Sequence, residues 1–198
     1  MKPKKIAIFA SGTGSNAQNL MAYFSQVPDV TVALVLSNKI DAPVLEKARQ
    51  HGVLTQVFDR DTFYKSDILV RELEELEIDL IVLAGFLWLV PQNLLEPFKN
   101  RIINLHPSLL PDFGGKGMYG MNVHRAVWES GATETGMTIH YVNENYDEGQ
   151  IIFQAKCPIR AEDTPETIAE RVATLEHQHL PRIVHQLLED TAATENLA

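Results

Sequence analysis

The sequence predicts an α/β protein built on one open, mostly parallel sheet of Rossmann-like type, with helices on both faces. Short apolar runs alternate with stretches of helical periodicity through the first half of the chain. The first apolar run leads directly into a glycine-rich turn and a helix, the arrangement that holds a phosphate on backbone N–H groups. Strands and helices alternating at this spacing pair in parallel through right-handed crossovers. The 198 residues are 45% hydrophobic and 22% charged, an ordinary globular composition. One domain is expected over residues 1–190, with a frayed tail at 191–198.

The elements follow in order. Residues 5–10 read as a short strand buried on both faces. Ser11-Gly-Thr-Gly-Ser-Asn16 comes next, then a helix over 17–25 with Leu20, Met21 and Phe24 at helical spacing. A strand at 31–37, a helix at 42–50 and a strand at 54–58 continue the alternation. An amphipathic helix at 66–76 sets Ile68, Leu69, Leu73 and Leu76 on one side, and a buried strand occupies 79–84. The apolar turn 85–90 leaves that strand, and Pro91 opens a short helix. A strand at 101–105 runs into a proline corner, followed by the glycine-rich loop 111–120 and a helix at 122–129. Strands at 135–142 and 151–156 are antiparallel, joined by Asn143-Glu-Asn-Tyr-Asp-Glu-Gly149, a loop more polar than a turn requires. A long amphipathic helical segment closes the chain at 164–188, with Pro181 expected to kink or restart it.

Charge and composition exclude whole classes of function. A net charge of -9 argues against a general nucleic-acid or anionic-membrane binder, but permits an anionic small molecule held by a local patch. The lone Cys157 cannot form an internal disulfide, and no Cys/His cluster has zinc spacing, so no metal is expected. The longest apolar run, 80–90, is shorter than a membrane span, and the basic start precedes too few apolar residues for a signal peptide. A soluble cytoplasmic protein is expected, without membrane or nucleic-acid partners.

The chemistry centres on Arg101-Ile-Ile-Asn-Leu-His-Pro-Ser-Leu-Leu-Pro111. In an extended chain Asn104 and His106 point to the same face, and Pro107 keeps His106 extended. The plain alternative is a strand end with a buried, satisfied asparagine and histidine. Gly12-Thr-Gly-Ser-Asn-Ala17 also fits the dinucleotide pattern G-x-G-x-x-A, which makes a nicotinamide-dependent dehydrogenase the rival enzyme. That rival needs an acid at the end of the second strand, where Leu36-Ser37-Asn38 offers none and Lys39 is a thin basic alternative. A substrate-phosphate cradle fits better. Cradle and Asn–His pair both fall at the carboxyl edge of the sheet, where such folds bind ligands. If the loop 143–149 curls over that edge, Asp147 reaches His106. These groups, with no serine or cysteine partner, indicate acid–base and oxyanion chemistry. Asp147 is expected to raise the pKa of His106. His140 faces the same edge as a brace, whereas His124 is expected on a solvated helix face. A non-catalytic nucleotide-binding module is the competing reading from another class.

Ser11-Gly-Thr-Gly-Ser-Asn16, Ala84-Gly-Phe86, Asn104-Leu-His-Pro-Ser-Leu-Leu-Pro111 and Asp147-Glu-Gly149 resemble the folate-dependent formyltransferases. The Gly-Ser-Asn turn resembles, within them, the phosphoribosylglycinamide formyltransferases of purine synthesis. The resemblance implies formyl transfer from formyl-tetrahydrofolate, as co-substrate, to glycinamide ribonucleotide by a monomer or weak homodimer. By motif it implies Asn104, His106 and Asp147 as catalytic residues, and Gly14, Ser15 and Asn16 as ligands of the substrate phosphate. Glu176 would touch the glycinamide substrate. Arg60, Leu87, Trp88, Leu89 and Val90, with Asn104 and the loop residues Asn143, Glu144, Asn145, Tyr146 and Asp147, would surround the folate. A formyl-tetrahydrofolate hydrolase shares these motifs behind an extra regulatory domain, for which a first strand at residue 5 is expected to leave no room. Three positions depart from the family pattern: Trp88 stands where many relatives carry arginine, Ala173 replaces a polar residue, and the loop 114–121 is longer than in many relatives.

Overall fold

A computed structural model describes residues 2–195, with side chains described to residue 190. The elements run β1 (Lys4–Phe9), α1 (Ser15–Phe24), β2 (Val30–Ser37), α2 (Pro43–Gln50), β3 (Leu54–Val57), α3 (Arg60–Lys65) and α4 (Ile68–Glu75). They continue with β4 (Leu80–Leu83), α5 (Gln92–Leu95), β5 (Ile102–His106), α6 (Met121–Glu129), β6 (Glu134–Tyr141), β7 (Ile151–Pro158) and α7 (Pro165–Glu195). All these strands join one sheet in the order β3-β2-β1-β4-β5-β6-β7. Pairing is parallel from β3 to β5 and antiparallel at β5–β6 and β6–β7. The tail expected over 191–198 falls on side chains, and over 196–198 on backbone, outside the described residues.

Alternation along the central strands divides the core between the two faces. Ile6, Ile8 and Ala10 of the first strand region, with Leu80, Val82 and Ala84 of the adjacent β4 region, pack on the α1, α2 and α7 side. Ala7 and Phe9, with Ile81 and Leu83, pack on the α3, α4 and α5 side. A two-residue period with both faces covered gives the continuous apolar runs seen in the sequence.

α7 passes through Pro181 as one helix and does not restart. A proline inside a helix leaves the carbonyl four residues back without its N–H donor. That carbonyl belongs to His177, and Asn19 Nδ2 on α1 donates to it at 2.7 Å. The proline defect is thereby used to tie the last helix to the first.

Two sequence expectations fail between residues 59 and 76. α3 was not anticipated, although Asp59 caps it by accepting from the Thr62 N–H at 2.7 Å, a legible start signal. Because α3 ends at an extended Ser66, the next helix begins only at Ile68, which is left 52% exposed. Val70 takes the core place assigned to Ile68, beside Leu69 and Leu73.

Candidate active site

β1 and β4 are neighbours although β2 and β3 lie on the far side of β1, so the winding direction reverses between them. A ligand fits at such a switch point, beyond the carboxyl ends of the strands. A cavity of about 800 Å³ lies there, lined by Thr13, Leu83, Gly85 and Asn104 among others. That volume is within the roughly 300–1,000 Å³ usual for small-molecule sites.

Asn104 and His106 share the strand parity of Ile102, which packs in the α3–α5 core. Both meet one carboxylate oxygen. Asp147 Oδ1 accepts from Asn104 Nδ2 at 3.2 Å and lies 3.5 Å from His106 Nδ1 and 3.6 Å from His140 Nε2. Asp147 reaches this point with a left-handed φ of 58°, a strained conformation that aspartate tolerates better than most residues. The Gly115 N–H holds it from the other side, donating to Oδ2 at 2.9 Å. Gly149 closes the same loop against the sheet, where a β-carbon would stand 1.6 Å from the Tyr141 carbonyl oxygen.

The hydrogen-bond network fixes orientations. His140 Nδ1 lies 2.8 Å from the Tyr141 carbonyl, so the ring hydrogen sits there and Nε2 accepts from Asn104 Nδ2 at 3.1 Å. Both Asn104 amide hydrogens are therefore engaged, one on His140 and one on Asp147. His106 Nε2 donates to the Phe113 carbonyl at 2.8 Å. The corner after β5 is pinned by Thr138, whose Oγ1 donates to the Ser108 carbonyl at 2.6 Å and accepts from the Leu110 N–H at 3.1 Å. Gln154 Nε2 adds a bond to the Leu110 carbonyl at 2.9 Å. Neither Thr138 nor Gln154 stood out in the sequence, where both read as ordinary strand residues.

Electrostatics correct one expectation. Burial holds the His106 pKa below that of an ordinary imidazole, against the attraction of Asp147 and the bond to Phe113; His140 lowers it further. Asp147 acts in the expected direction, but withdrawal of the ring from water outweighs it. The Asp147 carboxyl is also pushed up by burial, yet its interactions with His140, His106 and the Gly115 N–H prevail and hold it below the usual range. The resting site therefore pairs an ionised Asp147 with a histidine that gives up its proton readily.

Thr13, Ser15 and Asn16 also line the cavity, where α1 begins. Asn16 Nδ2 donates to Glu176 Oε2 at 2.8 Å, and Glu176 also lines the cavity. Burial raises the Glu176 pKa, opposed by that bond. Gly14 is buried beneath this wall as the N-cap of α1, with φ 70°. A β-carbon on Gly14 would stand 2.3 Å from Val44 Cγ2 and 3.0 Å from Val44 Cα. Gly14→Ala is therefore expected to lower stability by about 1–3 kcal/mol through overpacking, with left-handed strain added. Thermal denaturation checks this, and an unchanged melting temperature would contradict it.

The third wall is apolar. Leu87, Trp88, Leu89 and Val90 line it, and Trp88 packs against Phe58, Phe63, Tyr64 and Phe86 with centroids 5.7–6.3 Å away. Trp88 thus belongs both to the edge of the core and to the cavity. Arg60 is exposed and stands outside the cavity wall, its guanidinium 5.3 Å from the Tyr64 ring centroid and 5.7 Å from that of Trp88. Asn145 and Tyr146 line the cavity, whereas Asn143 and Glu144 do not.

His124 is not on a solvated face: it is 6% exposed, lines the cavity, and its Nδ1 has no hydrogen-bond partner. Burial, and repulsion from His106, lower its pKa. Val123 and Val127, buried on the same helix, carried the periodicity that marks this side as internal. At the end of β2, Asn38 Oδ1 accepts from Ser11 Oγ at 2.7 Å, in the place where a ribose-binding acid would stand.

Comparison with known proteins gives consistent matches. The family described as formyl transferase matches residues 4–184. A chloroplastic phosphoribosylglycinamide formyltransferase of Arabidopsis thaliana is 42% identical over 193 residues, covering 94% of this chain and 66% of that one. The chain spans 62% of the length of a similar chloroplastic protein of Vigna unguiculata. The phosphoribosylglycinamide formyltransferase of Haemophilus influenzae is 37% identical, with 91% of this chain and 85% of its own covered. Among solved structures, a phosphoribosylglycinamide formyltransferase from Anaplasma phagocytophilum superposes with a TM-score of 0.86 at 34% identity, over 96% of this chain and 89% of that one.

Proposed function

The chain belongs to the formyl transferase family, and from that premise we propose that it moves a formyl group from formyl-tetrahydrofolate to the primary amine of glycinamide ribonucleotide, a step of purine synthesis. The observation that carries this reading is the convergence of Asn104 and His106 on one carboxylate oxygen of Asp147 inside the cavity. The cavity has an apolar wall suited to the folate ring at residues 87–90, and a helix N-terminus suited to phosphate at Ser15 and Asn16. We read residues 1–190 as one formyltransferase domain acting in the cytoplasm as a monomer or weak homodimer. Among the described residues no helix is long and apolar enough to cross a membrane.

The substrate amine attacks the formyl carbon, the carbonyl pair moves onto oxygen, and a tetrahedral carbon bearing an oxyanion forms. Asp147 takes the amine proton, directly or through one water. His106, as imidazolium, protonates the departing folate nitrogen. Its lowered pKa leaves less of it charged at neutral pH but makes the charged form a stronger acid. The oxyanion then collapses and the carbonyl re-forms on the acceptor nitrogen. Asn104 donates to the oxyanion by sharing the N–H now directed to Asp147; His140 keeps the other.

The direct test follows loss of formyl-folate with and without glycinamide ribonucleotide. Consumption that depends on the ribonucleotide supports transfer. Equal consumption in its absence would mean hydrolysis, and would overturn the proposal. Trp88 offers a second, independent reading. In a Trp128→Phe background its fluorescence is expected to change when a folate analogue binds, because Trp128 lies outside the cavity wall, bonded to the Asp163 carbonyl at 2.8 Å. No change would leave Trp88 as a core residue alone.

A further inference from the structure

Lys116 is the only lysine or arginine on the cavity wall among the described residues. The wall also carries the carboxyl groups of Asp147 and Glu176, in a chain of net charge -9. A phosphate monoester brings about 1.5 to 2 further negative charges at neutral pH. The N-terminus of α1 presents the equivalent of roughly half a positive charge. Ala169 and Ala173 of α7, on the same wall, contribute no polar side-chain group. Backbone N–H groups alone therefore leave most of the phosphate charge uncompensated beside two acids.

The loop that carries Lys116 is built to present it. Gly115 and Gly117 flank it with φ of 93° and 92°, a conformation that side chains other than glycine rarely adopt. The Gly115 N–H is fixed on Asp147 Oδ2 at 2.9 Å, and the Gly117 carbonyl accepts from Asn122 Nδ2 at 3.2 Å. The lysine backbone is thus held on both sides, once by the carboxylate of the candidate catalytic group. Its ammonium has no partner among the described side chains and carbonyls.

We propose that Lys116 binds the phosphate of the phosphorylated substrate together with the N-terminus of α1, which lines the same cavity. This rests on the reading of the substrate as glycinamide ribonucleotide. It gives a role to the loop 114–121, and it places the loop's anchoring to Asp147 and its grip on substrate in neighbouring residues.

The test is a comparison of wild type, Lys116→Met and Lys116→Arg with two acceptors, the ribonucleotide and the corresponding riboside without phosphate. Lys116→Met is expected to raise the KM for the ribonucleotide about tenfold or more, as loss of a charge-assisted hydrogen bond does. The turnover number and the KM for formyl-folate stay near wild type, and Lys116→Arg recovers most of the loss. With the riboside, wild type and Lys116→Met perform alike. An unchanged ribonucleotide KM, a rise for formyl-folate instead, or an equal loss with the riboside would overturn the assignment while leaving the reaction intact. A wild type that formylates neither acceptor would remove the reaction itself, and this proposal with it.

Discussion

Replacing Asn104 with alanine is expected to reduce turnover about 10²- to 10³-fold, the effect of removing one oxyanion donor. The KM values for both substrates should change little, because the interaction strengthens as charge develops on the formyl oxygen. Asn104 also joins Asp147 to His140, at 3.2 and 3.1 Å, so the variant loosens the carboxylate as well as losing a donor. Asn104→Asp keeps the size but likewise removes the donor, and it sets a second acid beside Asp147. It should be at least as damaging as alanine. Steady-state kinetics on folded variants, with melting curves as the control, decide the matter. Near-normal turnover in Asn104→Ala would remove this residue from the mechanism.

Asp147→Asn carries the second large effect. It removes the proposed base, for which a loss of about 10²- to 10⁴-fold in turnover is expected. It also removes the attraction that supports the charged form of His106. In wild type, burial already holds the His106 pKa below the free value of about 6.5; in the variant it should fall further. Just below pH 6.5 the unfolded chain binds a proton at this histidine that the folded chain binds only at lower pH. The histidine's contribution therefore favours the folded state above that window and is lost as pH falls through it. For activity, any limb that reports the His106 imidazolium should shift to lower pH in the variant. An NMR titration of His106 in both proteins reads the coupling directly. An identical midpoint in the two would mean that the 3.5 Å approach of Asp147 to the ring carries no electrostatic weight.

The sheet was legible because its signals are local and redundant. β1, β2 and β4 are buried on both faces, so their residues read as continuous apolar runs whichever neighbour they pair with. Asn104 and His106 were legible for a similar reason, since residues two apart on a strand share a face without any tertiary information. What the sequence hid depends on long-range packing. Ile68 has the apolar character of a core residue and is exposed only because α3 ends at Ser66 and resets the helix. His124 looked solvated because histidine is amphipathic; the buried Val123 and Val127 beside it were the better guide. The direction of the His106 shift could not come from the sequence either. It is the balance of a nearby carboxylate and the Phe113 carbonyl against burial, and burial depends on the tertiary fold.

The central claim is that this cavity transfers a formyl group from a folate to a phosphorylated amine through Asn104, His106 and Asp147. Mass spectrometry of the ribonucleotide after incubation with isotopically labelled formyl-folate tests it most directly. Wild type should convert the ribonucleotide to its labelled formyl amide, one for each folate consumed, and Asn104→Ala should slow that conversion by orders of magnitude. Folate consumed with no label on the ribonucleotide, or labelling at the same rate in wild type and Asn104→Ala, would contradict the account.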